Sequence, residues 1–404
     1  MKIRNQYFLN SKTKVSFRKK HPWVFNRQIE RKKKYSNGAF IRILEKETEK
    51  IEGIGIFSSE GLIAIRIIYF GENFTLKEIH RMVEESINKR KSLLQITDSL
   101  RWIHGENDGF PGITIDMHGE TLIVMAYSDS LLVYARYVSR VLFFILGRER
   151  SLNPKPKNIV LRIPRRIGLG QGAKVRENLR TLRGSCPEYI LIRYRNITYR
   201  INPISQKGGT FDDLRNLRNY ILDHRSIFNG KRVLNLFSNN GLTSIVFEKA
   251  GAAEIYSLDD SEKSIQAHLD NAVNFDAKRH RIFKLDIFKK LQDFLDKTNL
   301  FFDVIVIDPP SLTSSSKDVG KAKTIYARLI EITALFLAEK GTMILCSCSN
   351  RIHKNEFERI CKEILEKSGK KFQRPVRLNH EIDHPTVSSF PEGDYLKVHI
   401  YVMA

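Results

Sequence analysis

The chain has 404 residues, 42% of them hydrophobic, with 23 glycines and 12 prolines. That excludes a fibrous or disordered polypeptide and is more chain than one core usually holds, so two or three domains are expected. The formal net charge of +23 sits almost wholly in two blocks: residues 1–34 carry twelve Lys or Arg against Glu30, and residues 151–200 carry twelve against Glu177 and Glu188. Regional basicity on this scale favours a nucleic-acid partner over a membrane surface, because neither block reads as a clean amphipathic helix.

No apolar run reaches the roughly 18 residues of a membrane-spanning helix, and Met1-Lys2-Ile3-Arg4 leads into polar sequence, so a cytoplasmic protein with no membrane partner is expected. Four cysteines, Cys186, Cys346, Cys348 and Cys361, are too few for a disulfide framework and should be reduced. Up to about residue 74, short apolar runs alternate with turn residues, as in Phe40 to Leu44, Ile51 to Phe57 and Leu62 to Ile68, which predicts a small β-barrel. Ile79, Met82, Val83 and Ile87 then mark a helix over 75–94. Strands are expected around Trp102, Ile113 to Ile115 and Thr121 to Met125, with a helix over 130–146. A hairpin should turn at Arg195-Asn196.

From about residue 205 the rhythm becomes strand, helix, strand, helix. Val233 to Leu236, Ile255 to Leu258, Ile282 to Leu285, Val304 to Ile307 and Met343 to Cys346 read as strands. Helices lie over Leu242 to Ala250, after a Ser261 cap, and near 324–338. This alternation predicts a doubly wound, mostly parallel sheet, in which ligands bind beyond the carboxyl ends of the strands. The expected fold is therefore α/β: an N-terminal barrel module (1–74), a central α+β domain (75–200) and a C-terminal Rossmann-like domain (201–404).

Polar residues recur at those strand ends: Asn235 with Asn239-Asn240-Gly241, then Asp259, Asp286, Asp308-Pro309-Pro310 and Cys346-Ser347-Cys348-Ser349. Asp259 lies 24 residues after Asn235, near the step at which an acid reaches ribose hydroxyls. Gly241 is the only glycine of its loop, so a two-glycine pyrophosphate fingerprint is missing. Two prolines after an apolar strand force a rigid turn, which can present the Asp308 carboxylate and nearby carbonyls to a flat base. Structural zinc fails on ligand count, so no metal is expected. Cys346 reads as a buried strand residue, and Cys348, nearer the strand end, as the candidate reactive thiol.

Several motifs are similar to those of the bacterial 23S ribosomal RNA (cytosine-5)-methyltransferases, which join a PUA domain to a Rossmann-like S-adenosylmethionine domain. The likeness runs over nearly the whole chain. It lies in His21-Pro22-Trp23-Val24-Phe25, Gly105 to Gly112 with Asp116, and Phe211 to Arg218 with Asp213, Arg215 and Arg218. It continues in Asn235-Leu236-Phe237-Ser238, Asp259, Asp286, Asp308-Pro309-Pro310, Tyr326, Cys348, Asp383-His384-Pro385, Phe390-Pro391-Glu392 and Tyr395-Leu396-Lys397.

The resemblance implies S-adenosylmethionine as cofactor, large-subunit ribosomal RNA as substrate and Cys348 as nucleophile. Asp308 is the candidate for holding the cytosine edge. Cofactor contacts are expected at Asp213, Arg215, Asn235, Phe237, Ser238, Gly241, Asp259, Asp286, Asp308 and Pro309. The chain departs from the family at Asn239-Asn240-Gly241-Leu242, where Tyr-Thr-Gly-Gly is usual, at Leu214 in place of Gln, and at Lys207-Gly208-Gly209 in place of Lys-Thr-Gly. Two rivals stand beside this reading: a methyltransferase acting on guanine or an exocyclic amine of RNA, and a non-catalytic RNA-binding assembly protein. A homodimer is compatible with the sequence.

Overall fold

The computed structural model describes residues 3–29, 35–163, 178–203, 209–272, 275–313 and 318–404. Lys32, Lys33 and Lys34, the whole arginine-rich stretch 164–177, and Lys207-Gly208 lie outside them. The chain forms two compact units. The first comprises Met1–Thr198, Asn202–Ser205 and Ile382–Gly393; the second comprises Tyr199–Ile201, Gln206–Glu381 and Asp394–Ala404.

The first unit begins with β1 (Asn5–Phe8), α1 (Ser11–Arg18), β2 (Trp23–Phe25), β3 (Phe40–Leu44), β4 (Ile51–Phe57) and β5 (Ile63–Phe70), whose strands form a sheet ordered β1-β3-β4-β5-β2. Asn10 caps α1, its Oδ1 accepting from the Thr13 amide at 3.0 Å, and Phe17 of that helix packs into a core with Ile41, Ile43, Ile65 and Ile67. Among the described residues the ladder does not close: β1 and β2 are free edges, so this module is an open sheet rather than the expected barrel.

A second sheet in this unit, ordered β10-β9-β8-β7-β6, uses β6 (Ser99–His104), β7 (Ile113–His118), β8 (Thr121–Ala126), β9 (Asn158–Ile163) and β10 (Asn178–Arg183). Two helices, α2 (Leu76–Arg90) and α3 (Leu132–Arg148), join Trp102, Phe110, Met117 and Val124 in its core. The β8–α3–β9 crossover makes a parallel pair, and α3 buries Tyr134, Ala135, Val138, Val141, Leu142 and Leu146 as the apolar face of that connection. Residues 129–148 have the length and mean hydropathy (1.4) of a membrane span, contrary to the sequence expectation, but half of that stretch is buried within the fold. The expected hairpin is present as β11 (Ile190–Tyr194) and β12 (Ile197–Ile201), with Arg195 at a positive φ in its turn.

The second unit holds α4 (Arg215–Asp223), α5 (Arg225–Phe228), β13 (Arg232–Leu236), α6 (Leu242–Lys249), β14 (Glu254–Asp259), α7 (Glu262–Ala272), β15 (His280–Lys284) and α8 (Ile287–Thr298). It continues with β16 (Phe302–Ile307), α9 (Val319–Ala334), β17 (Leu337–Ser347), α10 (Lys354–Lys367), β18 (Val376–Arg377) and β19 (Lys397–Val402). These strands build a seven-stranded sheet, β15-β14-β13-β16-β17-β19-β18, with the first five parallel and β19 antiparallel to both neighbours. The strand order reverses between β13 and β16, and a reversal of that kind opens a crevice beyond the carboxyl ends of both strands. Leu234, Leu236, Ile305, Ile307, Met343 and Leu345 fill the core beneath. The late helix starts earlier than its pattern suggested, at Val319, and ends at Ala334 because Leu337 already opens β17.

Candidate active site

The crevice is built from the loops after β13, β14, β15, β16 and β17. After β13 the chain turns through Phe237 (φ +60), Asn239 (φ +49) and Gly241 (φ +83). Non-glycine residues at positive φ cost on the order of 1–3 kcal/mol each and cluster where backbone geometry serves a ligand. Asp259, at the end of β14, organises the turn: its Oδ2 accepts from the Asn239 amide at 2.8 Å and its Oδ1 from the Ser261 amide at 3.0 Å. Burial pushes the Asp259 carboxyl above its ordinary range, an effect that these amides partly offset. Ser238 donates its amide to the Leu258 carbonyl at 3.0 Å, while its buried hydroxyl has no partner among the described residues. Phe237 packs its ring 5.2 Å from that of Phe288.

Asn235 is not presented at this rim. Its amide lies buried and donates to the Ser244 hydroxyl at 2.8 Å, which pairs with Ser257 at 2.8 Å, so Asn235 brackets β13, α6 and β14 from inside. Gly241 likewise has a packing reason to be glycine. A Cβ there would stand 2.1 Å from the His268 ring, which is fully buried and kept neutral by that burial, its pKa lowered to about 3. Asp286 caps α8, accepting from the Lys289 amide at 3.2 Å, and stays partly exposed at the end of β15.

Asp213 and Arg215 take different places. The Tyr395 hydroxyl donates to Asp213 Oδ2 at 2.8 Å. Arg215 is buried, with its guanidinium on Asp212 at 3.0 Å and Glu381 at 3.1 Å. Its charge is matched inside the protein, so the expectation that it contacts a cofactor gives way to a bracing role. Arg218, also buried, donates to the carbonyls of Thr210 (2.9 Å) and Phe211, which itself sits at φ +47.

Asp308-Pro309-Pro310 and Cys348, distant in sequence, come together: the Cys348 thiol points at the Pro309 carbonyl at 3.8 Å. Cys346 is fully buried and its thiol pushed well up by that burial, whereas Cys348 is half-buried at the strand end, which separates an inert thiol from an accessible one. Tyr326 from α9 stands close enough to both Cys348 and Asp308 to feel their charge, its own phenol raised chiefly by burial. Beside this cluster lies Lys397, a buried lysine absent from the expected set of site residues, donating to the carbonyls of Ser349 (2.5 Å), Ile352 (2.9 Å) and Tyr395 (2.8 Å). Two signals point to it in the sequence: its place in the Tyr395-Leu396-Lys397 motif and its being a single lysine opening the apolar strand Lys397–Val402. Among the described residues no group of three or more His, Cys, Asp or Glu side chains could hold a metal ion.

The remaining motifs meet within the first unit. Trp23 Nε1 donates to Glu106 at 2.7 Å, the Gly112 amide to the same oxygen at 3.0 Å, and the Trp23 ring stacks edge-on against Phe390 at 4.8 Å. Glu392 sits 3.4 Å from His21 and, through that hydrogen bond, raises the imidazole's pKa. Arg101 forks onto Asp116 at 2.6 and 3.1 Å and gives its amide to Asp383 at 3.0 Å, while Arg90 and Asp108 form a buried ion pair at 2.5 Å.

Residues 8–70 match the family model of the PUA-like domain. Over 401 residues, 97% of each chain, the sequence is 26% identical to a protein of Alteromonas mediterranea named ribosomal RNA large subunit methyltransferase I. It is 28% identical to the protein of that name in Escherichia coli O139:H28, over 95% of each chain. A Deinococcus radiodurans protein named ribosomal RNA large subunit methyltransferase is 25% identical over 93% of this chain and 92% of its own. Among solved structures, a SAM-dependent methyltransferase from Streptococcus mutans superposes with a TM-score of 0.78 at 20% identity, covering 99% of this chain and 100% of its own. The methyltransferase SMU.776, solved in complex with SAH, matches with the same figures. An open sheet with its order reversed at β13/β16, preceded by a PUA-like module, is thus the fold of methyltransferases, and the chain's homologues are named ribosomal RNA large subunit methyltransferase I.

Proposed function

We propose that this chain is an S-adenosylmethionine-dependent methyltransferase of large-subunit ribosomal RNA that modifies C5 of a cytosine, with Cys348 as nucleophile. The observation that carries the chemistry is the meeting of the Cys348 thiol with the Asp308-Pro309-Pro310 turn, 3.8 Å from the Pro309 carbonyl. The names of the full-length relatives support the substrate class. The basic blocks at 1–34 and 151–200 supply the polyanion affinity, with residues 1–74 and 75–200 as RNA-facing modules and 201–404, apart from the Asn202–Ser205 and Ile382–Gly393 segments of the first unit, as the catalytic one.

The residues present fit the cofactor. Asp259 accepts the Asn239 and Ser261 amides and, as a carboxylate with about four lone-pair sites, keeps acceptor capacity for a ribose hydroxyl, and the Ser238 hydroxyl, without a partner among the described residues, offers a further polar contact in the same turn. Asp259, Ser238, Phe237 and Asp286 would hold it, and when bound it supplies an electrophilic methyl group. C5 of cytosine is a weak nucleophile. The Cys348 thiolate therefore adds to C6, forming an S–C6 bond and moving electron density to C5, the atom to be alkylated. Once C5 loses its proton to a base, the S–C6 electron pair returns to sulfur and the aromatic ring is restored. Asp308 accepts from the exocyclic amino group, as carboxylates do for cytosine elsewhere, and the base must be single-stranded or flipped out.

RNA carrying 5-fluorocytosine at the target tests this, because fluorine cannot leave as a proton and the adduct is trapped. Cys348→Ala should abolish both adduct and turnover, while Cys346→Ala should still trap. An active Cys348→Ala enzyme, or an adduct mapped to Cys346, overturns the assignment. Methylated guanine or a methylated exocyclic amine in the nucleoside digest would transfer the reading to the rival chemistry.

A further inference from the structure

From the hydrogen bonds around β19 we infer that Lys397 is the positioning residue of this site, its ammonium fastening the turn that follows Cys348 and lending the thiol the positive charge beside which it ionises. This rests on Cys348 being the nucleophile. Lys397 pairs with Ser347 in the β17–β19 ladder, so it enters directly across from the residue before Cys348. From there its side chain reaches the carbonyls of Ser349 and Ile352, at both ends of the turn leaving the thiol, and that of Tyr395.

Three carbonyl acceptors at 2.5–2.9 Å match the three N–H bonds of an ammonium. A neutral amine has only two and would leave a buried carbonyl facing a lone pair, so the geometry selects the charged form. With every proton committed, the same nitrogen has no lone pair with which to act as a base. It acts instead as a fixed charge in a water-poor setting, where its field on a neighbouring sulfur is strong.

Among the described residues, the titratable groups on the thiol's side of the site include Cys346 on its own strand, Tyr326 from α9 and, close to both of these, Asp308 from the β16 turn, with Asp213 close to Cys346 as well. Around the ammonium stand Cys348, Asp394, Lys354 and His399. Burial brings Lys397 down to about 8, and Cys348 opposes that shift, the reciprocal of the effect inferred here. Asp308 works against the thiolate, which gives a compensating cation at this position its purpose.

The test follows ionisation without RNA. The full-length chain is alkylated with iodoacetamide from pH 5.5 to 10, and the Cys348 peptide is quantified by mass spectrometry; the thiol proton goes to solvent and the thiolate displaces iodide. In the wild type the rate should reach half its plateau below the ordinary thiol value of about 8.5. Lys397→Met should raise that midpoint by about one unit, roughly tenfold less thiolate at neutral pH, and Lys397→Arg should recover part of the shift. A wild-type midpoint at or above about 8.5, or a Lys397→Met profile that coincides with wild type, overturns the proposal.

Should Lys397→Met fail to fold, the reciprocal measurement decides. In carbon-13 lysine spectra of Cys348→Ala, the Lys397 ammonium should titrate at lower pH than in the wild type, and an unmoved titration overturns the coupling. Failure of the fluorocytosine adduct with an intact alkylation shift would remove the cytosine chemistry but leave the Lys397–Cys348 coupling standing.

Discussion

At the scale of single residues, Asp259 is asked to do two things at once. It holds the strained turn after β13 through the Asn239 and Ser261 amides and, in the proposed function, accepts from the cofactor ribose. Asp259→Ala should weaken cofactor binding by about 1.5–3 kcal/mol, roughly ten- to a hundredfold by calorimetry; unchanged binding would remove the residue from the site. Because burial raises its pKa above 3.8, the folded chain holds this proton more tightly than the unfolded chain. The group therefore adds stability as pH falls through its folded pKa, while the same protonation removes an acceptor from the ribose. Cofactor affinity should fall on acidification at a pH above the usual carboxyl range, and Asp259→Asn should flatten that dependence.

Gly241 offers a second residue-scale test. Ala there meets both a positive φ and the His268 ring, so it should cost about 2–5 kcal/mol of unfolding free energy in urea. Gly230→Ala has a similar φ of +72 but open space around its Cβ and should cost about 1–2 kcal/mol. Equal losses at the two positions would show that the His268 contact carries no weight.

At the scale of elements, Asp286 separates a helix cap from a ligand contact. Asn caps as well as Asp does, so Asp286→Asn should leave stability within a few tenths of a kcal/mol while Asp286→Ala costs about 1 kcal/mol. A drop in cofactor affinity in the Asn variant then reports the carboxylate's contact, and none would reduce Asp286 to its cap. The parallel sheet was legible because β13, β14 and β16 are nearly continuous apolar runs, which only a sheet covered on both faces permits. Helices α1, α4, α5, α8 and α10 carry no helix expectation in the sequence; α1, α4 and α5 are short, at eight, nine and four residues, which leaves little room for a helical period to show. Closure of the first sheet is not legible in the sequence, because alternation fixes which face of a strand is buried, and not whether its edges meet. Asn235 stands out by its place at a strand end and Arg215 by the family resemblance, and neither signal shows that the Asn235 amide is already given to Ser244 or that the Arg215 charge is matched by Asp212 and Glu381.

At the scale of the molecule, the basic blocks predict an RNA affinity that falls steeply with salt, as several phosphates are neutralised together. Charge reversal at Lys32, Lys33 and Lys34 should flatten the slope of log affinity against log salt; an identical slope would exclude this block from the RNA footprint. The first unit has another consequence, in the way the chain is made. It is finished by Ile382–Gly393, which bring Asp383 to Arg101, Phe390 to Trp23 and Glu392 to His21. A ribosome releases these residues only after nearly the whole second unit has emerged, so domain-by-domain folding from the N-terminus stalls with the first unit lacking its closing contacts. Nascent chains arrested before residue 382 should thus remain protease-sensitive around Trp23 and Arg101, and truncation anywhere ahead of Ile382–Gly393 should leave the first unit without its closing contacts.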